Sequence, residues 1–283
     1  MNSTRSQKML SPSVFWRVGE DIPKSLSWIL MTLSTAIPFC LWWIISNSGL
    51  IPPLFLPTPI QIGSALVRLW QNGSLPKNIA TSLFRVISGF LLAAVISIPL
   101  GILMGTFASI RALVEPIIGI VRYMPAPAFI PLLVLNLGIG ELPKIMLIFI
   151  GVLFFNTLMV MDAVKFVPKE LIETTFTLGG LRRSVVLQVI FPYVLPSIID
   201  AGRVNMAAAW NLVIVAELVA ATEGLGRRIS VAQRYLRTDE IFAGLIVIWL
   251  IGLAISCFAC FYEFLLAGQE SSFFRSIYYE LTS

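Results

Sequence analysis

Histidine is absent from all 283 residues. Its absence excludes the Ser–His and Cys–His arrangements of nucleophilic catalysis and the commonest zinc-binding sets. Charge is scarce as well. Asp, Glu, Lys and Arg make up 12% of the chain, about half of the ~25% that a water-facing surface carries, so much of the outer surface meets something other than water. The three cysteines, Cys40, Cys257 and Cys260, imply no disulfide framework. The last two form a CxxC pair inside an apolar run, which reads as packing. There is no GxxxxGK[ST] phosphate loop, so the chain supplies no ATPase site of its own, and no GxSxG nucleophile elbow. The expectation is a chain with no catalytic residue, no cofactor and no metal.

What is present is apolar sequence. Hydrophobic residues make up 57% of the chain and the mean hydropathy is +0.89. Six apolar runs stand out, at about 28–46, 82–107, 114–138, 144–164, 195–222 and 241–266. A spanning helix needs about 20 apolar residues, and in lipid an open chain satisfies its backbone only as helix. The runs are continuous rather than alternating, which excludes a β-barrel. The fold class is therefore an all-α integral membrane protein of about six transmembrane helices, in contact with membrane lipid. The first 24 residues are polar and mixed in charge, and the run after them lacks a small-x-small cleavage pattern, so it reads as a retained first span.

The net charge of +5 does not indicate nucleic-acid binding, because the Lys and Arg residues sit mostly between apolar runs, as in membrane loops. With the N-terminus inside, ten of them fall in inside loops and seven outside, a weak bias. Between the first two runs, Thr58-Pro59 marks a helix start. Ile60, Ala65, Leu66, Leu69 and Trp70 then outline a short amphipathic helix at the interface. Asn72-Gly73-Ser74 reads as a turn, and the basic stretch 227–237 as helical.

The most informative segment is 169–196, KELIETTFTLGGLRRSVVLQVIFPYVLP, which is far more polar than its flanks. It predicts a helix, a glycine break, and a second short helix ending in two prolines. Such an element is no span. It suits a rigid surface knob joined to the next span and docked in a partner's groove.

In these residues the chain resembles the permeases of bacterial ATP-binding-cassette importers with their cytoplasmic EAA loop. Glu173, Thr174 and Thr175 stand for the loop's Glu-Ala-Ala, Gly179 for its glycine, and Pro192 and Pro196 close it, with Arg182 and Arg183 inside. The threonines depart from the usual alanines, keeping small size and adding hydroxyls. LPTPIQ, RYMPAPAFIPLLVLNLGIGELPKI, VAELVAATEGLG and AQRYLRTDEIFAGLIVIWLIG are similar to the nitrate, sulfonate, taurine and bicarbonate branch. The resemblance covers nearly all of the chain beyond Ile51. It implies a type I importer permease fold with a cytoplasmic N-terminal segment (1–25), a transmembrane domain (26–268) carrying the coupling loop (165–196), and a cytoplasmic tail (269–283). It also implies a multi-pass place in the bacterial inner membrane, with a cytoplasmic N-terminus. The implied partners are two ATPase subunits at the loop, a second permease copy as homodimer or a close paralogue, and a periplasmic or lipoprotein solute-binding protein. ATP hydrolysis in those partners would drive alternating access for a small oxyanion such as nitrate, sulfonate, taurine or bicarbonate.

The third run holds Arg122-Tyr123-Met124-Pro125-Ala126-Pro127 and then Pro131. Prolines this close break a helix, and irregular backbone at membrane depth belongs where it is buried in protein or lines a cavity. Arg122 is the candidate for meeting an anion, with snorkelling to the interface as the equal alternative. Met124, Pro125, Asn136, Asn205 and Asn211 complete the candidate pathway, although interhelical hydrogen bonds account for most asparagines in spans. Glu217, acidic among apolar neighbours, predicts a buried ion pair with a base on another helix. The rival reading is an ion-coupled secondary transporter or channel, which would leave the 169–196 segment without a role and for which no internal repeat is evident.

Overall fold

The computed structural model describes residues 23–258. The predicted N-terminal segment up to residue 22, the tail 269–283 and Cys260 lie outside the described residues. Two compact units follow one another, one ending at Pro59 and the next beginning at Ile60. In the first, α1 (Lys24–Asn47) is 24 residues long, about 36 Å at 1.5 Å per residue and enough for a ~30 Å hydrocarbon layer. Trp28, Met31, Leu33, Phe39 and Ile44 are all exposed, apolar side chains turned outward as a membrane-crossing helix requires. Its hydroxyls turn back to the helix: Thr32 Oγ1 donates to the Trp28 carbonyl at 2.6 Å and Thr35 Oγ1 to that of Met31 at 3.1 Å, which satisfies them without water.

The second unit contains α2 (Pro59–Gln71), α3 (Ser74–Thr106), α4 (Ala108–Val121), a 3₁₀ turn (Ala126–Phe129), α5 (Ile130–Leu137), α6 (Leu142–Lys165), α7 (Lys169–Thr177), α8 (Arg182–Val219), α9 (Leu225–Arg234) and α10 (Thr238–Phe258). Helices α1, α3, α6, α8 and α10 are each long and apolar enough to cross a membrane. The predicted third span is instead a bent pair, α4 with residues 126–137, turning by 83° at the break 122–125. Helix α3 starts eight residues before the apolar run does, because the polar turn Ser74-Leu75-Pro76-Lys77-Asn78 is itself helical. Proline is tolerated in a first turn, where its missing N–H has no partner to lose. In α2 the buried stripe is Ile62, Ala65 and Leu69. Ile60 and Trp70, predicted on that face, are exposed, since helical spacing from Ala65 selects 62 and 69 rather than 60 and 70.

Helix α3 packs against α6 along a seam repeating every fourth residue. On α3 it comprises Arg85, Gly89, Ala93, Ser97 and Gly101, followed by Gly105; on α6, Lys144, Ile148, Val152, Asn156, Val160 and Val164. The facing pairs keep one offset, 89 with 148, 97 with 156, 101 with 160 and 105 with 164, so the two helices run parallel. A Cβ at Gly101 would lie 2.7 Å from the Thr157 carbonyl oxygen, and one at Gly105 would lie 2.5 Å from Val164 Cβ. The glycines thus bring the backbones together, the small-xxx-small solution to packing in lipid. Helix α8 runs antiparallel to both, with Asn205 meeting Asn156 and Glu217 meeting Arg85. Because α3 and α6 point the same way, the bent pair is what carries the chain back from the end of one to the start of the other.

The seam predicts a sharp difference among glycines. Gly105→Val should abolish recovery of monodisperse protein in detergent, whereas Gly119→Val, where a Cβ meets nothing within 4 Å, should be recovered at the parent level. Size-exclusion chromatography of the two variants checks this.

Candidate functional site

Segment 169–196 begins with α7, whose end explains the glycines. Gly179 has φ +83°, the left-handed conformation that glycine adopts without strain. The Gly180 amide donates to the Thr175 carbonyl at 2.8 Å and the Gly179 amide to that of Phe176 at 3.0 Å. This is a Schellman cap. A Cβ on Gly180 would stand 2.7 Å from Thr175, so both glycines are required. The threonines in place of alanines add no unpaired donors: Thr174 Oγ1 donates to the Glu170 carbonyl at 2.7 Å and Thr175 Oγ1 to that of Leu171 at 2.8 Å. Glu173, Thr174, Arg182 and Arg183 are exposed. Ile172 faces the other way, against a cluster that includes Val164, Val167, Val185 and Ile190, and so ties α7 to α6 and α8.

Pro192 and Pro196 do not end a short helix, as the sequence predicts. The helix starting at Arg182 continues through both to Val219. The reason is the π-helical stretch Val185–Ile190, in which the Phe191 amide reaches back five residues to the Val186 carbonyl. This wider register precedes Pro192, whose nitrogen carries no hydrogen and whose ring crowds the preceding turn. The second half of the coupling-type segment, from Arg182, and the following span are therefore one continuous helix.

The break between α4 and α5 opens onto a cavity of about 520 Å³. Arg122, Tyr123, Met124 and Pro125 line it from the break, Phe154 and Met159 from α6, and Asn205, Asn211 and Leu212 from α8. No carboxylate is among the lining residues. Arg122 sits 5.0 Å over the Tyr123 ring, and its Nη2 donates to the Tyr123 hydroxyl at 3.1 Å; it has no ion-pair partner among the described residues. Asn205 is buried, donating to Asn156 Oδ1 at 3.0 Å, while Asn156 donates to Ser97 Oγ at 2.6 Å. That chain joins α8, α6 and α3 behind the cavity wall. Asn211 is exposed and donates to its own helix at Ala207. Asn136 lies on α5, outside this cavity, bonded to the Leu132 carbonyl.

At the opposite end of α6 from α7 lies a charge cluster. Arg85 is 1% exposed and Glu217 0%, and Arg85 Nη1 donates to Glu217 Oε1 at 2.7 Å. Ser82 Oγ donates to the same oxygen at 2.7 Å and the Gly226 amide to Oε2 at 2.8 Å. Arg85 also donates from Nη1 to the Glu223 carbonyl and from Nη2 to Glu141 Oε1, at 2.7 and 2.8 Å. Glu141 is paired in turn with Lys144 at 3.0 Å. The hydrogen bond from Arg85, partly offset by desolvation, holds the Glu141 carboxyl down at about 2. Its contribution to stability is therefore in place above the ordinary carboxylate range and is lost progressively as pH falls from that range through about 2. Gly224, with φ +121°, leaves room for Glu217, because a Cβ there would stand 2.3 Å from the carboxylate carbon.

The sequence marks Glu217 as half of an ion pair but not its partner. Arg85 has the same signature, a lone charge in the apolar context SLFRVISGF. Glu141 and Lys144 gave no such signal, because they sit at a span boundary where charge is ordinary. Arg85→Ala would strand the buried Glu217 charge, at a cost of about 3–5 kcal/mol. It should lower the thermal midpoint in detergent strongly, and the double change Arg85→Met with Glu217→Leu should recover most of that loss; thermal-shift measurements check both.

Comparison with known proteins agrees with this architecture. Residues 97–270 match the family described as binding-protein-dependent transport system inner membrane component. The chain is 34% identical over 251 residues to the taurine transport system permease protein TauC of Escherichia coli (strain K12), covering 87% of this chain and 90% of that one. It is 30% identical over 229 residues to the putative aliphatic sulfonates transport permease protein SsuC of Bacillus subtilis (strain 168), covering 81% and 83%. In fold it is similar to a chain of the MetNI methionine ABC transporter in an inward-facing conformation, with a TM-score of 0.62 at 21% identity, covering 68% of this chain and 95% of that one. A membrane-crossing helical bundle, a capped polar segment fused to a span, and the match over residues 97–270 thus place this chain in the binding-protein-dependent transport system inner membrane component family, the multi-pass permease subunits of ABC transporters.

Proposed function

We propose that this chain imports a small oxyanion, passing it along the cavity at the α4–α5 break with Arg122 as the anion contact. Permeases of this family work with ATPase subunits and a solute-binding protein. In this reading two ATPases dock on α7 and its Schellman turn, where Glu173, Thr174, Thr175, Gly179, Arg182 and Arg183 form the docking segment. A second copy of the chain completes the pathway, and the N-terminus is cytoplasmic, on the ATPase side. The observation that carries the solute class is Arg122, a guanidinium in a cavity with no lining carboxylate. A cation in a low-dielectric site favours an anionic solute. The taurine and aliphatic sulfonates named for the relatives each carry an anionic sulfonate group. Met124 and Pro125 shape the mouth, Asn211 supplies an amide, and Asn205 holds the back wall.

Coupling runs through the continuous helix. Motion imposed on α7 reaches the cavity wall because Ile172 is packed into the core beneath it and α8 extends without a break from Arg182 to Asn205 and Asn211.

The test is ATP-driven uptake of a sulfonate in proteoliposomes holding the chain with its ATPase and binding protein. Arg122→Gln removes a charge-assisted contact of about 1.5–3 kcal/mol and should lower uptake roughly tenfold or more, with the complex intact. Unchanged uptake would remove Arg122 from the pathway. Gly179→Val, which forces a branched side chain into φ +83°, should leave ATP hydrolysis no longer stimulated by the loaded binding protein; retained stimulation would remove the turn from the coupling route.

A further inference from the structure

The charge cluster at the end of the bundle away from α7 takes no part in the solute pathway or the ATPase contact, yet it gathers one guanidinium and two carboxylates from three elements. We propose that Arg85 is a positioning residue for transport: it holds Glu217 throughout the cycle and Glu141 only in part of it, so that the turn between α5 and α6 is the moving element at this end. The inference rests on the importer reading above.

The two carboxylates are held unequally. Glu217 is fully enclosed, and Arg85, Ser82 and the Gly226 amide saturate it. Breaking that pair would strand a charge in the core. Glu141 accepts from both Nε and Nη2 of Arg85, but it is 46% exposed and keeps a second cation, Lys144 at 3.0 Å, on the first turn of the helix it precedes. When Arg85 lets go, Glu141 is left neither unpaired nor dry. The lysine side chain is only 4% exposed, so it stays at the cluster to take the whole carboxylate.

The backbone beside Glu141 is built to move and the backbone beside Arg85 is not. Gly138 has φ +78° and Gly140 has open space where a Cβ would sit, while Ile139 between them is 86% exposed. Helices α3 and α6 are in close backbone contact there, where a Cβ on Gly89 would stand only 2.7 Å from Ile148, and parting them would forfeit that packing. Motion is therefore confined to the turn, and the turn leads straight into α5 and the 3₁₀ segment. Ala126, Pro127 and Phe129 of that segment wall the cavity. Release of Glu141 from Arg85 would let that wall swing while Glu217 keeps α3, α8 and the start of α9 fixed. Hinges of this kind are a few loop residues that absorb the change in φ and ψ.

Hydrogen exchange read by mass spectrometry tests this on the complex with its ATPase in nanodiscs, comparing the resting state with the state trapped by ATP and vanadate. The expected result is faster exchange at 138–145 on trapping, with 224–228, whose first three amides are held by Asn78, Ser82 and Glu217, unchanged. Glu141→Gln should show the fast pattern at 138–145 already at rest and raise solute-independent ATP hydrolysis several-fold. Glu217→Gln should instead lower the thermal midpoint and loosen 224–228. Equal response of both segments, no response of either, or a Glu141→Gln protein with parental exchange and hydrolysis would each overturn the latch. Coupled uptake with 138–145 unresponsive overturns the latch alone. A chain that holds no ATPase overturns the importer reading and the latch with it.

Discussion

The contact between α3 and α6 is the constraint on which the rest of the molecule depends. In lipid there is no hydrophobic drive between helices, so association rests on close packing and on polar groups that find partners inside the protein. The every-fourth-residue seam supplies both. Its glycines bring backbone against backbone, Ser97 and Asn156 meet at its middle, and Arg85 and Lys144 stand at one end. A parallel pair carries a topological consequence. The chain must return between the two helices, and it does so through a pair bent by 83° rather than a straight span. The cavity exists because that return is broken.

The same seam separates two kinds of polar chemistry. At the end bearing α7, charge is exposed and organised on a capped helix whose inner face is anchored through Ile172. At the other end, a buried Arg85–Glu217 pair is joined by the half-exposed Glu141. The first arrangement suits a surface offered to a soluble partner, and the second suits an internal strut. Helix α8 joins them, with its π-helical start beside α7 and Glu217 near its far end. A displacement at one end therefore reaches the other through packed core rather than through loops.

Much of this was legible in the sequence, and the residues show why. Long apolar runs have one solution in lipid, so the spans could be placed to within a turn or two; the starts of α3 and α8 were missed because polar residues extend a helix once it projects beyond the bilayer. The break at Pro125 and Pro127 was legible because proline acts locally. Its angle was not, since that is set by packing against α6 and α8. The spacing from Glu173 to Gly179 was legible as a motif, and the Schellman bonds of Gly179 and Gly180 now give it a physical reason. The prolines misled, because their local preference is to end a helix and only the π register, a tertiary accommodation, carries the helix through them. The seam is not legible in the sequence, because Gly89, Ser97, Gly101 and Gly105 matter through a facing helix 59 positions further along. Asn205 and Asn211 are six residues apart and not on one narrow stripe, yet both reach the cavity because it is broad.

The central claim is that ATP hydrolysis in a partner drives an anionic solute past Arg122. It is tested most directly by counting solute against ATP in sealed proteoliposomes containing the native complex, with an alkyl sulfonate and a cation of similar size as competing labelled solutes. The account predicts accumulation of the sulfonate alone, dependent on ATP and on the loaded binding protein. Accumulation that persists without the ATPase, or that follows an imposed ion gradient, would contradict it.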